Sequence, residues 1–283
     1  MMLNTTFPYI SIVAYLLTGN SKGLIPPLAF PSTMASKDIL AHDAHVHLGP
    51  AGPFLPSRDT STTIEEVLKH LDTHKIGRAI VFPGPQPGHR YPQMNDLIMD
   101  AAKGGGAGRF IPFIRVDPRD KDAALKEITR MAYAGAKGVK LHPVVECFRP
   151  DHPFFLEMWR LIADHDLFVS THTDMLNWFA SPEYLRGVFE SVPEIKIIMC
   201  HLRVAGVCLL KQYPNAFADT SGMDPQVTEL LAKEGHSVTR KVLFGTDFPY
   251  LDPGKQFEAI DKTSWGPMLK QEILKRNFEQ IFK

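Results

Sequence analysis

Short apolar segments alternate with longer amphipathic ones from residue 39 to the end of the chain. The short segments carry apolar residues at consecutive positions and are bounded by Gly or Pro, which is typical of strands buried on both faces of a parallel sheet. The pattern predicts eight strands, at Ile39–His47, Arg78–Phe82, Phe110–Arg115, Lys137–His142, Leu167–His172, Ile195–His201, Ala216–Thr220 and Lys241–Thr246.

Between the strands, apolar residues recur at the spacing of a helix that packs through one face. Ile64, Val67, Leu68 and Leu71 fall at i, i+3, i+4 and i+7, and Gly77 follows as a stop signal, so a helix is predicted over Ile64–Lys75. The same reasoning predicts helices at Ala123–Ala134, Phe154–His165, Pro182–Val192, Gln226–Glu234 and Met268–Phe282.

Eight strand–helix units over residues 39–283 predict an α/β fold, a (β/α)8 TIM barrel that forms a single catalytic domain. An open doubly wound sheet is the alternative, but no Gly-rich dinucleotide fingerprint follows the first strand. Residues 1–38 are expected to form an N-terminal helical and loop extension that packs on the barrel or on a partner subunit. Its apolar stretch over residues 7–17 is too short to cross a bilayer, and no positively charged side chain precedes it as in a signal peptide.

The charge balance narrows the range of partners. The chain has 31 Lys and Arg against 31 Asp and Glu, which gives no electrostatic footprint for nucleic acid or for an anionic membrane. The three cysteines are too few for a disulfide framework, so a reducing, cytoplasmic location is expected. We therefore expect a small-molecule substrate and, because of the apolar N-terminal stretch, a homodimer as an open possibility.

Side chains that bind metals recur where the predicted strands end. Asp43, His45 and His47 are spaced i, i+2, i+4 on the first strand, and side chains on a strand alternate between faces, so all three are expected to point the same way. Further groups of this type follow at Lys140, His142, His172, His201 and Asp247. Barrel enzymes carry their chemistry at the carboxyl ends of the strands, so these side chains are expected to meet at one mouth.

The alternation of faces also assigns the neighbours of these groups. On the sixth strand, His201 is expected to share an inward face with Ile197 and Met199, while Cys200 points the other way as a buried structural thiol. His70 lies on a predicted helix without metal-type neighbours and is expected to be solvated.

Imidazoles combined with one carboxylate suit Zn²⁺, Fe²⁺, Mn²⁺ or Co²⁺, and a catalytic site keeps one position open for water. Such an ion lowers the pKa of its bound water from 15.7 to about 7, which supplies hydroxide at neutral pH. The sequence therefore predicts a metal-dependent enzyme. We expect zinc, as one ion, with a second ion as the alternative.

The chain resembles the amidohydrolase superfamily, in particular its amidohydrolase-2 branch, which includes aminocarboxymuconate-semialdehyde decarboxylase. The resemblance covers residues 40 to 283. It depends on an ordered set of motifs: His45 and His47, Gly-Val-Lys-Leu-His-Pro at 138–143, Thr171-His172, Met199-Cys200-His201, Phe-Gly-Thr-Asp-Phe-Pro at 244–249, and Asn-Phe-Glu-Gln-Ile-Phe at 277–282.

The resemblance implies roles for these residues. It implies that His45, His47, His172 and Asp247 bind the metal, and that His201 binds a second metal or transfers protons. The Lys-Leu-His segment at Lys140 is similar to that of urease and dihydroorotase, whose lysine is carboxylated and bridges two ions. In the amidohydrolase-2 branch one metal is often enough, and Lys140 would then be a cationic contact or a structural group.

The resulting hypothesis is a hydrolase of a small amide, lactone or ester. A metal-activated water would attack the carbonyl carbon, Asp247 would carry its proton to the leaving group, and His201 would stabilise the oxyanion. His142 and Arg203 would orient the substrate. The alternative is a metal-dependent non-oxidative decarboxylase of a small carboxylic acid, and a third class is a barrel whose metal only ties strands together.

Overall fold

The computed structural model describes residues 39–52, 59–175 and 178–283, so the predicted extension over residues 1–38 lies outside the described part of the chain. Eight strands form one sheet in chain order, and each strand is parallel to its neighbours. They are β1 (Ala41–Leu48), β2 (Ile76–Pro83), β3 (Phe110–Arg115), β4 (Gly138–Leu141), β5 (Phe168–His172), β6 (Lys196–Cys200), β7 (Ala216–Asp219) and β8 (Val242–Leu243). The predicted (β/α)8 barrel is confirmed.

Helices separate the strands, and they include the six that the amphipathic pattern predicted. They are α1 (Ile64–Thr73), α2 (Tyr91–Lys103), α3 (Lys121–Ala134), α4 (Leu156–Asp164), α5 (Tyr184–Ser191), α6 (Val204–Gln212), α7 (Pro225–Leu231), α8 (His236–Thr239), α9 (Pro253–Asp261), α10 (Pro267–Gln271) and α11 (Asn277–Ile281). A π-helical turn at Glu272–Arg276 joins the last two. The described ranges contain no helix that combines the length and the apolar character needed to span a bilayer.

Backbone hydrogen bonds connect the last strand region back to the first. The amide of Ala44 donates to the carbonyl of Phe244 at 2.8 Å, and the amide of Asp247 donates to the carbonyl of His45 at 2.9 Å. The amide of His47 donates to the carbonyl of Phe248 at 2.8 Å. Residues far apart in sequence, on β1 and just after β8, are therefore adjacent in the barrel wall.

Two apolar layers support the barrel. The larger one lies between the strands and the surrounding helices and includes Val139, Ile197 and Met199. The smaller one fills the barrel interior and is closed by side chains of the C-terminal helical segment; its members are Ala44, Ile80, Phe82, Phe113, Ile198, Leu243, Phe278 and Phe282. Burying a large apolar side chain contributes about 1.5–3 kcal/mol, so this packing gives the strand ends a rigid base.

Candidate metal centre

The first and last strand regions bring three predicted ligands together. Nε2 of His45 and Nε2 of His47 each lie 3.1 Å from Oδ1 of Asp247. All three side chains are largely buried, with relative side-chain exposures of 1%, 7% and 12%. The ligand atoms of this group fall within 4.8 Å of one another, so one ion could contact all three.

The donor set fits a divalent cation. When Nδ1 of His45 carries its proton, Nε2 has only a lone pair, and the facing carboxylate oxygen is also an acceptor. Such atoms repel each other at 3.1 Å unless a proton or a metal cation lies between them. Two ligands that are each about 2.1 Å from one ion can lie at this separation, which matches the bond lengths of Zn²⁺ to nitrogen and carboxylate oxygen.

His201 and Asp247, the last two candidate ligands along the chain, have left-handed backbone conformations. His201 has φ 58° and Asp247 has φ 57°, a conformation that is uncommon outside glycine. β6 ends at Cys200 and β8 ends at Leu243, so neither residue continues the regular alternation of its strand. The turn in the backbone, and not strand parity, directs both side chains into the mouth.

The predicted faces of the sixth strand were therefore wrong. Ile197 and Met199 pack in the outer layer against the helices, and Ile198 packs inside the barrel. Cys200 points inward, with Sγ 3.0 Å from Nζ of Lys140 and 3.1 Å from Oγ of Ser170. The parity assignment failed because it assumed that His201 belonged to the strand.

An irregularity in β1 separates Asp43 from the histidine pair. Asp43 pairs with Ala79 and Val46 with Val81, so three steps on β1 face two on β2, which is the arrangement of a β-bulge. The carboxylate of Asp43 accepts hydrogen bonds from the Thr246 hydroxyl at 2.6 Å and from the amide of His45 at 3.0 Å. The predicted common face of Asp43, His45 and His47 was wrong.

His70 is buried against this carboxylate. Its Nε2 lies 3.2 Å from Oδ2 of Asp43, and its ring stacks on Phe248 at 4.4 Å between centroids. The prediction of a solvated side chain was wrong, because helix periodicity alone does not show which polar group the helix faces. His70 and Asp43 together hold the backbone of β1 next to Thr246, one residue before Asp247.

His172 and His142 lie beside the three-ligand group. Their rings stack at 3.9 Å between centroids, and the ring of His172 is 4.8 Å from that of His201. The amide of Val145 donates to Nδ1 of His142 at 3.4 Å, so Nε2 of that ring carries the hydrogen and can donate to a ligand. His172 is not part of the three-ligand group of His45, His47 and Asp247, and its role as a fourth ligand stays a prediction.

Lys140 lies beneath the histidines. Its Nζ is 3.3 Å from Nε2 of His45 and 4.5 Å from the centroid of Phe82, and the side chain is buried. The structure thus places Lys140 next to His45, the first predicted metal ligand along the chain. Its role as a carboxylated bridge between two ions stays a prediction.

Two arginines, Arg115 at the end of β3 and Arg203 just after β6, differ in their surroundings. Arg115 is fully buried and forms an ion pair with Glu146, with Nη2 2.8 Å from Oε1. Tyr91 donates to the same oxygen at 2.8 Å. Arg203 is half-buried at the rim, where its Nη1 donates to the carbonyl of Gly222 at 3.0 Å. Of the two, Arg203 is the one placed to reach a molecule in the mouth.

Asp219 and Ser221 belong to the site although the sequence analysis did not single them out. Oδ2 of Asp219 lies 2.9 Å from Nδ1 of His45, on the opposite side of the ring from Asp247. Oγ of Ser221 lies 2.9 Å from Nδ1 of His201 and 3.1 Å from Nδ1 of His45. The available signal was a carboxylate at the end of a predicted strand, in Ala-Asp-Thr-Ser at 218–221.

Burial and charge set the protonation of these groups. Burial lowers the pKa of His47 to about 3 and that of His172 to about 2, and it also lowers the pKa values of His142 and His201. Burial raises the pKa of Asp247, but the positive potential of His45 and hydrogen bonds from both histidines hold it well below its ordinary value. Apart from His45, whose raised pKa means that an ion must displace a proton from the ring, the site offers neutral imidazoles and an ionised carboxylate, which are the forms that bind metal.

These shifts predict that the metal-free protein loses stability in mild acid. The lowered pKa values of His47, His142, His172 and His201 lie below the value of about 6.5 for an unfolded chain. The unfolded state therefore takes up protons first, and stability falls as the pH drops below about 6.5. His47 and His172, with pKa values of about 3 and about 2, each contribute a loss of roughly 1 kcal/mol between about pH 6.5 and 5.5.

Urea unfolding of the chelator-treated protein at a series of pH values measures this loss. His45 acts in the opposite direction: burial and Lys140 lower its pKa, but nearby negative charges, including Asp247 and Asp219, raise it well above the ordinary value. Its smaller contribution reduces the sum without changing the sign. An unfolding free energy that stays constant across the pH window would contradict the burial of four neutral imidazoles.

Two cavities lie away from the histidine cluster. One of about 510 Å³ lies on the outer surface of α3 and α4. Another of about 730 Å³ is lined by residues at the amino-terminal ends of strands and by the last residues of the chain, among them Arg78, Lys196, Phe217 and Phe282. Neither contains a group of metal-type side chains, so neither competes with the mouth of the barrel as the candidate site.

Comparison with known proteins relates the chain to one family. The sequence pattern of the family described as amidohydrolase matches residues 42–282. No protein with a curated description matches the sequence.

Several solved structures share the fold at low identity. The 2,6-dihydroxybenzoate decarboxylase from Rhizobium is 18% identical, with a TM-score of 0.66 over 85% of this chain and 98% of that one. The 5-carboxyvanillate decarboxylase from Novosphingobium aromaticivorans, bound to manganese and a nitrobenzoic acid, is 16% identical with a TM-score of 0.71 over 88% and 97%. A probable 2-pyrone-4,6-dicarboxylic acid hydrolase from Acinetobacter baumannii is 16% identical with a TM-score of 0.62 over 86% and 99%.

Proposed function

Because this chain belongs to the amidohydrolase family, we propose that it is a metal-dependent decarboxylase of a small hydroxy-substituted aromatic carboxylic acid. One observation carries the proposal: His45, His47 and Asp247 converge, buried, with both Nε2 atoms 3.1 Å from one carboxylate oxygen. A site of this kind can hold a cation against an anionic substrate. Decarboxylation was the second hypothesis from the sequence and now becomes the first.

Two observations support an aromatic acid as the substrate class. The decarboxylases with the same fold act on dihydroxybenzoate and carboxyvanillate, which are aromatic acids. Rings also surround His47: Phe82 contacts it edge-on at 4.8 Å and Tyr250 at 4.7 Å between centroids. Aromatic pairs favour such edge-to-face contacts, so the rings beside the proposed ion could also pack against a planar substrate ring.

His45, His47 and Asp247 would hold the ion, with His172 as the proposed fourth ligand. When bound, the ion would act as a Lewis acid toward the carboxylate and the neighbouring hydroxyl oxygen of the substrate. Zinc was the ion expected from the sequence, and the manganese in the carboxyvanillate enzyme makes Mn²⁺ an equal candidate. His and Asp ligands accept both ions.

His201 is placed to move a proton. Its Nδ1 lies 2.9 Å from the carbonyl oxygen of Ser221, and since a carbonyl can only accept, Nδ1 carries the hydrogen. Nε2 is then a free base. In the proposed reaction it takes the phenolic proton of the substrate and returns it to the ring carbon that carries the carboxylate. The carbon–carboxylate bond then breaks and CO₂ leaves. The electron pair of the broken bond stays with the ring and restores its aromaticity and the phenoxide.

The remaining polar groups would bind and orient the substrate. Nε2–H of His142 faces the site as a donor because Nδ1 accepts from the Val145 amide. Arg203 stands at the rim, where its guanidinium could contact an anionic substituent. The buried Arg115 is neutralised by Glu146 and holds the strand ends in place.

The proposal predicts that activity follows the metal. Treatment with a chelator should abolish CO₂ release from hydroxybenzoates, and addition of Mn²⁺ or Zn²⁺ should restore it, because the donor atoms remain in place without the ion. The measurement is CO₂ evolution with metal analysis of the same sample. In D₂O the product should carry one deuterium at the carbon that lost the carboxylate.

Turnover that persists in the metal-free protein would overturn the proposal. Benzoate without a hydroxyl group serves as the control substrate, because it offers no phenolic proton to His201. It should bind without releasing CO₂.

Hydrolysis of a small lactone, ester or amide is the second candidate. The observation in its favour is that an ionised Asp247 beside a cation site can also accept a proton from water. The probable pyrone dicarboxylate hydrolase has the same fold. Reaction in ¹⁸O-labelled water separates the two, because a hydrolase places the label in its product and releases no CO₂.

A further inference from the structure

The carboxylate of Asp219 is surrounded by donors on one side. Its Oδ1 accepts from the amide of His201 at 3.1 Å, from the amide of Ser221 at 3.0 Å and from the Ser221 hydroxyl at 2.5 Å. Asp219 is fully buried. Because three hydrogens point at Oδ1, this position must hold an oxygen that accepts hydrogen bonds whenever the site is folded.

The other oxygen of Asp219 faces an imidazole. Oδ2 lies 2.9 Å from Nδ1 of His45. Because a carboxylate can only accept, Nδ1 of His45 carries a hydrogen, so the neutral ring keeps its lone pair on Nε2, which points toward Asp247 at 3.1 Å. The ring is thus oriented and its tautomer fixed from the side opposite the proposed ion.

The same carboxylate reaches the second histidine through a serine. The hydroxyl of Ser221 donates its one hydrogen to Asp219. Its oxygen can therefore only accept from Nδ1 of His201, at 2.9 Å. The backbone carbonyl of Ser221 accepts from the same nitrogen at 2.9 Å. His201 is therefore held with Nδ1 protonated and Nε2 bare.

We propose that Asp219 is a positioning residue that fixes the tautomers of His45 directly and of His201 through Ser221, so that the neutral form of each ring presents an unprotonated Nε2 to the mouth of the barrel. This inference rests on the metal centre of the proposed function and not on which reaction the centre carries out. It assigns Asp219 no contact with the substrate or the ion. Its effect on metal binding passes entirely through His45.

Asp219→Asn tests the proposal because the two side-chain oxygens cannot exchange roles. Three donors require an oxygen at the Oδ1 position, so the new amide nitrogen must occupy the Oδ2 position. That N–H₂ group then donates to Nδ1 of His45, which must become an acceptor. The hydrogen of the ring moves to Nε2, and a protonated Nε2 cannot bind a metal.

Chelator competition with Zn²⁺ measures the consequence. We expect Asp219→Asn to weaken metal binding by about 10- to 100-fold, the range found when groups that orient metal-binding histidines are altered. Asp224→Asn is the matched control, since Asp224 lies five residues further along and caps α7 through its side chain, a role that Asn fills equally well. The control should bind Zn²⁺ like the unmodified protein.

Nuclear magnetic resonance of ¹⁵N-histidine-labelled, Zn²⁺-loaded protein gives the second readout. In the unmodified protein, Nδ1 of His45 should carry a proton; a bare Nδ1 there would overturn the proposal, and this measurement decides it even if Asp219→Asn does not fold. Unchanged Zn²⁺ affinity in Asp219→Asn would also overturn it. If the unmodified protein itself binds no Zn²⁺ or Mn²⁺, the proposed function fails, whereas equal binding by both proteins removes only the role of Asp219.

Discussion

Asp247→Asn is expected to remove the bound ion and to lower turnover by about a thousandfold or more. The carboxylate is an anionic group that both His45 and His47 face at 3.1 Å. Its replacement by a neutral amide removes several kcal/mol of charge stabilisation for a divalent cation, and each 1.36 kcal/mol in the barrier is a factor of ten in rate. Metal content of the purified protein and CO₂ release, measured together, check the prediction.

The control for this variant is Asp122→Asn, which makes the same chemical change at an exposed position in the first turn of α3. It should retain metal and activity. A protein with Asp247→Asn that keeps a full equivalent of metal would contradict the assignment of the centre. The same analysis of His172→Ala decides the fourth ligand: loss of metal places His172 on the ion, while retained metal with reduced turnover places it against the substrate.

His201→Asn is expected to retain the ion and to lower kcat by about 100- to 10,000-fold, the range of general acid–base catalysis. Asn tolerates the left-handed backbone that His201 adopts at φ 58°. Its amide N–H₂ can replace the hydrogen bond from Nδ1 to the Ser221 carbonyl, but nothing replaces the basic Nε2. The variant therefore separates proton transfer from local folding.

Steady-state kinetics and metal analysis measure this effect. His236→Asn is the matched control, because the side chain of His236 is 65% exposed on the short helix α8. We expect the control to behave like the unmodified protein. Loss of the ion in His201→Asn would instead identify His201 as a ligand, and full activity would remove it from the mechanism.

The periodicity of the sequence was sufficient for the architecture. The predicted strand Phe110–Arg115 matches β3 at both ends, and the other seven strands fall within a few residues of their predicted bounds. Burial on both faces gives parallel strands continuous apolar segments, and turn residues mark their ends. Helices such as α6 were not assigned, because Val204–Gln212 is apolar on most sides and has little one-sided pattern.

The sequence predicted only part of the candidate site. The spacing of His45 and His47 and the strand-end positions of His201 and Asp247 predicted a shared mouth, and the structure places these four residues together. The faces of Asp43, Met199 and Cys200 were wrong. Each error has a local cause: a bulge in β1 in the first case, and in the other two the left-handed residue after β6.

Asp219, Ser221 and His70 show what sequence patterns do not contain. Their importance comes from hydrogen bonds to residues 174, 176 and 27 positions away, respectively. No periodicity or spacing relates such pairs. A carboxylate next to a strand end has the same appearance in the sequence whether it faces solvent or orients an imidazole.

The sequence by itself determined a (β/α)8 barrel and the kinds of side chain at its mouth, because alternation of apolar segments and strand-end position are local properties. Only the tertiary structure decided which nitrogen of each histidine faces the centre and which carboxylate, Asp247 or Asp219, lies on which side of His45. Those features depend on the closure of β8 onto β1 and on donors contributed by separate strands. Their hydrogen bonds are directional, and direction is set by the folded backbone.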